Sequence, residues 1–446
     1  MKLTPKGIVI ASGLNRREFL RCSALAAAGW MAGCATNPVT GKSQFMLISE
    51  QEEIEVDRKN SPYQLSADYG STQDRRLNDY IARTGKRLVP ATHRPQMPYR
   101  FEVVNATYIN AYAFPGGTIA TTRGILLKLD NEAELASLLG HELGHVNARH
   151  TAQQMSKAAL TQTLVGGAST LAGGQGSIFG DLAGQLGSIG AGALLAVYSR
   201  DNEREADALG LRYMAAAGYN PDGFEGLMDM LRALNRHRAN AVELLFATHP
   251  MSEERYQNSI KAIHTDYPER SGKPLYRERY QDHTAGLRRI AGAIEAMQNG
   301  EKEMAGKKYE AAEEQFQQAL EKAPRDYTAH LLMAKCQYVQ KRYDRAEQYA
   351  REASQIFPRE PQAHLLMGFA RLDNGKYAEA YNDFESYDRM LPDNPDLLFL
   401  KGLAREGMQR QEEAARFYIA YLKVVPQGPQ ARHAYQRLVD WGYIRP

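Results

Sequence analysis

A period of 34 residues in the last third of the chain constrains its fold more than any other sequence feature. Prolines recur at this spacing, and an alanine lies twelve residues before each of them. The prolines are Pro324, Pro358, Pro392 and Pro426, and the alanines are Ala312, Ala346, Ala380 and Ala414. A small residue lets two helices approach closely, and a proline ends the second helix before the next repeat begins. The period therefore predicts an all-α solenoid of stacked helical hairpins.

The period and the residue types in register resemble the tetratricopeptide repeat. We predict four such repeats over residues 293–428, followed by a capping helix over residues 429–446. His330 and His364 lie one period apart, so we interpret both as structural residues and not as ligands.

The first 33 residues are predicted to be a signal peptide and not part of the fold. A basic stretch precedes an apolar run, Leu25 to Met31, which is too short to span a bilayer. Within the basic stretch, Asn15 to Leu20 resembles the twin-arginine export motif, with Asn in place of the usual Ser or Thr.

Met31 to Cys34 resembles a lipobox, which would be cleaved before Cys34 so that the thiol can be acylated. Ala35 follows, and by resemblance to Gram-negative lipoproteins this residue favours the outer membrane. The alternative is an ordinary cleaved signal peptide with an incidental cysteine. We therefore expect a periplasmic protein with a lipid anchor at Cys34 and a polar tether over residues 34–60.

The charge of the mature chain argues against nucleic acid as a partner. The formal charge of +3 arises in residues 1–33, since 50 basic and 51 acidic residues remain when the five basic residues and one acidic residue of that segment are removed. A chain without net positive charge or a basic cluster has little attraction for polyanions. After loss of the signal peptide and acylation of Cys34, Cys336 is left alone, so no intrachain disulfide is expected.

The middle of the chain is predicted to be an α+β domain with a small sheet, over residues 61–270, followed by a linker helix over residues 271–292. Helical spacing and strand-like stretches mark its elements. Helices are predicted at Asp74–Leu88, from Asn131 through residue 145 and at Asp201–Ala217, and strands at Tyr99–Asn105, Tyr108–Phe114 and Thr118–Thr122. The glycine-rich stretch from Gly166 to Tyr198 is predicted to be a loop or lid beside the active site.

The central chemical signal is His141-Glu142-Leu143-Gly144-His145. Residues four apart share one face of a helix, so both imidazoles can reach one Zn²⁺ ion. Glu142 then lies beside the metal and can accept a proton from the attacking water. The pattern needs a third ligand before it defines a site.

Three residues are candidates for that ligand. His150 falls off the metal-facing side of the helix, and a hydrogen-bonding role suits it better. Glu203 and Asp207 share one helical face, where one carboxylate can bind the metal and the other can hold a ligand histidine or steady intermediates, while Glu205 points elsewhere. His249, before Pro250, is the third candidate, and the alternative is a turn residue.

The HELGH motif, the run from Ser199 to Asp207 and the segment from Asn110 to Gly117 together resemble the HtpX and CAAX-prenyl-protease group of gluzincins. This resemblance implies one Zn²⁺ per chain held by His141, His145 and Glu203. It also implies that Glu142 is the general base and Asp207 a second catalytic acid. The remaining implied sites are a substrate-binding strand at Ala111, Tyr112, Ala113 and Phe114 and an approach of His249 to the zinc, where it could be a regulatory fourth ligand.

Protease motif, export signal and repeat array together lead us to expect a zinc endopeptidase for misfolded or misassembled outer-membrane proteins. The repeats would dock substrates or the outer-membrane barrel assembly machinery. The alternative is a chaperone or scaffold lipoprotein that acts through its repeats and has a latent metal site.

Overall fold

A computed structural model describes residues 34–165, 197–236, 240–270 and 272–445. The predicted signal peptide and nearly all of the predicted glycine-rich lid lie outside these residues. The strands are β1 (Cys34–Thr36), β2 (Ser43–Phe45), β3 (Arg100–Val104), β4 (Ala111–Ala113) and β5 (Thr118–Thr122). The structure confirms the predicted fold class, because helices predominate and one small sheet precedes the helical repeats.

The central sheet has the strand order β3-β5-β4. β3 runs parallel to β5, with Arg100 opposite Thr118, whereas β4 runs antiparallel to it, with Ala111 opposite Thr121. The turn at Pro115-Gly116-Gly117 therefore joins β4 and β5 as a hairpin, although β4 is shorter than the strand predicted at Tyr108–Phe114. Among the described strands, β4 pairs only with β5 and so forms an edge of the sheet.

The helices of the first part of the chain surround this sheet. They are α1 (Glu50–Ala67), α2 (Arg75–Leu88), α3 (Arg123–Leu126), α4 (Glu132–Asn147), α5 (His150–Val165), α6 (Arg200–Ala216), α7 (Asp222–Arg236), α8 (Glu243–Thr248) and α9 (Glu253–Asp266). Short 3-10 segments lie at Val89–Ala91, Asn240–Val242 and Pro268–Arg270.

The predicted helix starts and stops agree with the capping residues. Asn131 caps α4 by accepting a hydrogen bond from the N–H of Glu134 at 3.0 Å. The Glu134 carboxylate reaches back to the N–H of Asp130 at 2.7 Å, one residue before the cap. α6 ends where Gly218 takes up φ of +84°, a conformation that favours glycine.

α4 and α6 pack against each other with their backbones in contact. A Cβ atom built on Gly140 would lie 2.9 Å from the carbonyl oxygen of Gly210, and one built on Gly144 would lie 2.9 Å from that of Ala206. Only glycine permits this approach. The side chains on the facing sides of the two helices are therefore brought together.

Residues 34–60, predicted to be a tether, are folded onto this domain. β1 and β2 form a hairpin in which Cys34 lies opposite Phe45. α1 then inserts two carboxylates into the core. Buried Glu53 pairs with Arg94 at 2.6 Å, and buried Asp57 accepts a hydrogen bond from the N–H of Thr118 at 2.8 Å. The turn-rich sequence at the start of the segment is the hairpin, and its acidic residues are structural.

The repeats continue directly from the first domain. Their helices, together with the preceding one, are α10 (Arg277–Arg289), α11 (Ala291–Ala305), α12 (Tyr309–Lys322), α13 (Tyr327–Val339), α14 (Tyr343–Ile356), α15 (Gln362–Asp373), α16 (Tyr377–Met390), α17 (Pro395–Gly407), α18 (Gln411–Val424) and α19 (Pro429–Asp440). α10 contacts the first domain through the Tyr280 hydroxyl, which donates to the carbonyl of Leu126 at 2.6 Å.

Glycines explain how two of the hairpins, α11–α12 and α15–α16, close. A Cβ atom on Gly300 would overlap the Phe316 ring, and one on Gly368 would overlap the Phe384 ring. Each glycine thus makes room for an aromatic ring of the partner helix. Among the described residues, no helix is both long enough and apolar enough to cross a membrane.

Candidate metal centre

His141 and His145 lie one turn apart on α4 and face α6. Both are buried, and their Nε2 atoms are 3.0 Å apart. Glu203, on the first turn of α6, brings its carboxylate to the same point. Its Oε1 lies 3.2 Å from His145 Nε2, and its Oε2 lies 3.6 Å from His141 Nε2. The glycine contacts between the two helices make this approach possible.

His249 completes the cluster from the C-terminal end of α8. Its Nδ1 lies 3.0 Å from Glu203 Oε1 and 3.4 Å from His141 Nε2. The four side chains offer ligand atoms that all lie within 4.8 Å of one another, as a group able to hold a metal ion. The structure therefore brings together all four residues that the sequence analysis named as metal ligands.

Glu142 lies on the same helix, beside the cluster. It is buried, and its Oε1 is 3.9 Å from His249 Nε2. Burial raises the pKa of Glu142 above its usual range, although the nearby histidines His249 and His141 oppose this in part. A carboxylate with a raised pKa accepts a proton more readily, which suits the predicted general base.

A carboxylate and a guanidinium hold His141 from behind. Asp207, one turn after Glu203 on α6, places Oδ1 2.9 Å from His141 Nδ1. Arg255 of α9 donates two hydrogen bonds to Asp207, of 2.5 and 2.7 Å. Its Nη1 also lies 2.5 Å from Glu203 Oε2. This arginine is buried, with 4% of its surface exposed.

Arg255 sets the charge of both acids. Burial opposes ionisation of Asp207, but the charge and hydrogen bonds of Arg255, together with His141, outweigh it and hold the pKa of Asp207 below its usual range. The same balance, with help from His249 and His141, holds the pKa of Glu203 well below its usual range. Burial lowers the pKa of His145 well below its usual range, so this ring is neutral. A neutral imidazole and an ionised carboxylate are the forms that bind metals.

His150 and Glu205 lie behind His145. His150 Nδ1 is 2.9 Å from His145 Nδ1, and His150 Nε2 is 3.1 Å from Glu205 Oε2. The structure confirms the hydrogen-bonding role predicted for His150 and the direction of Glu205 away from the cluster. Tyr198 stacks on the His145 ring, with 3.6 Å between centroids.

The residues present fit a zinc ion. Both ligand histidines have Nδ1 engaged, by Asp207 and by His150, so both turn Nε2 toward the same point. Two nitrogen lone pairs at 3.0 Å repel each other unless a cation lies between them. Zn–N bonds of about 2.0–2.1 Å in tetrahedral geometry place ligand atoms about 3.3 Å apart, close to the separations in this cluster. His249 Nε2 and Glu142 Oε2 are buried and have no hydrogen-bond partner among the described residues.

The predicted substrate strand forms β4 and the residue after it. Ala111 to Ala113 lie at the sheet edge, and β4 packs against α4. Tyr112 is buried and donates to Asp68, while Phe114 is also buried. Cys34, the predicted lipid attachment, is the first residue of β1.

Sequence reasoning missed Arg255 and Tyr198. Arg255 stands in a charged run after Ser252, which is indistinguishable from a solvated helix face. Tyr198 closes the glycine-rich stretch and carries no motif. Their positions follow from contacts between segments far apart in the chain.

Comparisons with known proteins agree with this architecture. The model of peptidase family M48 matches residues 75–262, and a tetratricopeptide-repeat model matches residues 303–368. The chain is 31% identical over 242 residues to the beta-barrel assembly-enhancing protease of Yersinia pestis, covering 53% of this chain and 48% of that relative. It is 30% identical over 211 residues to metalloprotease YcaL of Escherichia coli (strain K12), covering 47% of this chain and 76% of that relative.

A helix that carries HExxH and faces a glutamate of a second helix defines a metallopeptidase centre of the gluzincin type. With the match to metalloprotease YcaL over most of that relative, the chain belongs to peptidase family M48, and tetratricopeptide repeats follow its peptidase domain. The chain spans about half the length of the beta-barrel assembly-enhancing protease that it matches.

Proposed function

We propose that the protein is a zinc-dependent endopeptidase of the bacterial cell envelope. The observation that supports this most directly is the convergence of His141, His145 and Glu203 on one point with Glu142 beside it. These three ligands leave one coordination position for chemistry, as catalytic zinc sites do. One zinc per chain is expected.

When bound, zinc supplies a Lewis acid that polarises the scissile carbonyl and acidifies the attacking water. Glu142 accepts a proton from that water, which its raised pKa favours, and delivers the proton to the leaving amine. Within the part of the chain that the structure describes, β4 pairs with β5 alone, and a peptide could add to its other side as a further strand. We propose that Ala111 to Phe114 hold the substrate in extended form in this way.

We assign to Asp207 the orientation of His141. The resemblance implied that it is a second catalytic acid, but an acid must carry a proton, and Arg255 holds Asp207 in its ionised form. An ionised carboxylate bound to Nδ1 of a ligand histidine fixes the ring and raises its basicity. Proton delivery then falls to Glu142.

His249 is proposed to be a regulatory fourth ligand. Its ring lies within reach of the position that the attacking water needs, since Nδ1 is 3.0 Å from Glu203 and Nε2 faces Glu142. A histidine in the fourth position makes the enzyme latent until the loop after α8 moves.

The proposed setting is the periplasmic face of the outer membrane, with the twin-arginine signal for export and Cys34 for acylation. We propose unfolded or misassembled outer-membrane proteins as substrates, and docking of the repeats to the barrel assembly machinery. Support comes from the name of the relative in Yersinia pestis and from the repeat array.

The test uses the full chain loaded with zinc and an unfolded outer-membrane protein as substrate. Glu142→Gln should bind zinc as tightly as the wild type and lose cleavage by about 10²- to 10⁴-fold, because only proton transfer is removed. His249→Ala should cleave faster than the wild type. Zinc content, cleavage rates and growth of a complemented deletion strain are the measurements.

A scaffold with a latent metal site is the second candidate, favoured by the position of His249. It would be supported if the zinc-loaded wild type cleaved no unfolded protein and Glu142→Gln rescued the deletion strain fully. Truncation of the repeats discriminates poorly, because Arg123 of the peptidase domain is buried against Asp326 of the repeats at 2.5 Å.

A further inference from the structure

The two histidine ligands are held from behind by different groups. His141 Nδ1 faces the Asp207 carboxylate at 2.9 Å, and a carboxylate can only accept. His145 Nδ1 faces a second imidazole, His150, at 2.9 Å. A neutral imidazole can donate or accept, so His150 alone does not fix which nitrogen of His145 carries the proton.

Glu205 removes this ambiguity. Its carboxylate lies 3.1 Å from His150 Nε2 and can only accept, so Nε2 carries the proton. With its proton on Nε2, His150 can accept at Nδ1, and His145, which must keep Nε2 free to bind a metal, donates its Nδ1–H to it. The Nε2 lone pair of His145 is left facing the cluster, where Glu203 Oε1 lies 3.2 Å away.

The backbone between the two histidines shows how this contact arises. On a continuous helix, residues five apart lie about 140° apart around the axis, so His150 would face away from His145. α4 instead ends at Asn147, and Arg149 takes up φ of +61° before α5 begins. The resulting corner returns the chain so that His150 meets His145.

Arg149 is held in this uncommon conformation by its own side chain. Its Nε lies 2.9 Å from Glu53 Oε1 of α1, and its Nη2 donates to the carbonyl of Ile48 at 2.6 Å. A positive φ is costly for a residue other than glycine, and buried contacts of this kind compensate for it. The corner is therefore fixed by contacts with Glu53 of α1 and with Ile48 just before that helix.

We propose that His150, supported by Glu205, is a positioning residue that sets the tautomer and ring plane of the metal ligand His145. His150 does not itself bind the ion, because both of its ring nitrogens are engaged by His145 and Glu205. This inference rests on the proposed metal centre. Partners of this kind behind a metal ligand typically alter metal affinity by about 10- to 100-fold when they are removed.

The test measures zinc affinity of the full chain by competition with a chromogenic chelator. His150→Ala should weaken zinc binding by about 10- to 100-fold. His150→Gln should retain most of the affinity, because an amide can accept from His145 through its oxygen and donate to Glu205 through its nitrogen. Glu205→Ala should weaken binding less than His150→Ala.

Glu254→Ala is the matched control, because this exposed carboxylate contacts only Arg204 at 3.3 Å among the described ion pairs. It should bind zinc like the wild type. Visible absorption of the cobalt-substituted protein adds a second readout, since a rotated His145 changes the ligand field while a distant structural change does not. Circular dichroism checks that each variant is folded.

The inference is overturned if folded His150→Ala and Glu205→Ala bind zinc as tightly as Glu254→Ala. If His150→Ala does not fold, the order of affinities among His150→Gln, Glu205→Ala and Glu254→Ala decides. Failure of the proposed function has a different signature, namely zinc-loaded wild type that cleaves no peptide. Chelator competition measures the zinc affinity whether or not the protein cleaves peptides.

Discussion

Arg255 is the residue on which the charge of the metal centre depends most. It is the cation that compensates two buried carboxylates, Glu203 and Asp207. The sequence reveals the acids through the motif and its spacing. It does not reveal the arginine, because one residue of a charged helix looks like any other until the helix is packed. What sequence reasoning recovers at this scale is the set of candidate ligands; what it misses is the positive charge that keeps Glu203 and Asp207 ionised.

Replacement of Arg255 should therefore expose the cost of buried negative charge. Arg255→Met is expected to destabilise the metal-free protein by about 3–5 kcal/mol, the usual cost of leaving a buried ion pair without one partner. Added zinc should restore part of this loss, because the ion neutralises Glu203. Thermal unfolding with and without zinc measures both effects.

Arg204→Ala serves as the control for this substitution. Arg204 is half-exposed and pairs with Asp201 and Glu254, so its loss should cost less than about 1 kcal/mol. Equal losses in the two variants would contradict the role assigned to Arg255.

At the scale of elements, the contact between α4 and α6 sets the separation of the ligands. The sequence predicts both helices well, since caps, spacing and the HELGH motif are local signals. It does not predict that Gly140 and Gly144 lie against α6 at Gly210 and Ala206, because this contact joins segments far apart in the chain. The same limit applies to the sheet. The turn residues Pro115-Gly116-Gly117 indicate the hairpin, but no local signal predicts that β3 pairs in parallel with β5.

Gly210→Ala should separate the two helices. A Cβ atom at this position would lie 2.7 Å from the backbone nitrogen of His141, and backbone cannot yield as a flexible side chain can. We expect a lower melting temperature and at least tenfold weaker zinc binding, because Glu203 moves away from the histidines. Chelator competition and thermal unfolding provide the measurements.

A control with the opposite sign is Gly292→Ala in α11. Its Cβ would meet only the Lys322 side chain, at 3.5 Å, which is an ordinary contact. Alanine in place of glycine within a helix should stabilise by roughly 0.5–1 kcal/mol. A melting temperature for Gly210→Ala as high as that of Gly292→Ala would show that the helices can accommodate the methyl group.

At the scale of the whole molecule, the peptidase domain and the repeats share buried acids at their junction. Asp68, just after α1, accepts hydrogen bonds from Tyr108 and from Tyr112 of β4. Glu360, between α14 and α15, accepts from Ser66 at the end of α1. The repeats are thus joined to the proposed substrate strand through α1. Sequence periodicity predicts each part but not this junction, which consists of polar residues without a motif.

The junction should lose stability as pH rises. Burial raises the pKa of Asp68 to about 7 and that of Glu360 to about 7, so the folded state holds protons that the unfolded state has released. The contribution of these two protonated carboxyls to the free energy of unfolding is complete below the unfolded-state pKa of about 4. It is lost as pH rises through about 7.

Asp68→Asn should accordingly flatten the dependence of the melting temperature on pH between about 4.5 and 8. The exposed Asp79→Asn of α2 is the control and should leave the wild-type dependence unchanged. If Asp68→Asn and the wild type lose stability in parallel over this range, the proton responsible for the pH dependence is not bound at Asp68.

The folded segment after Cys34 bears on how far the enzyme can reach. If residues 34–60 were an extended tether, its 27 residues would let the catalytic centre move up to about 90 Å from Cys34. β1 begins at Cys34 itself and is paired to β2. An acyl group on Cys34 would therefore be joined to the folded domain without a flexible segment between them. The catalytic centre would then lie at a fixed distance from the membrane surface. It would reach only polypeptide chains that pass within that distance of the membrane.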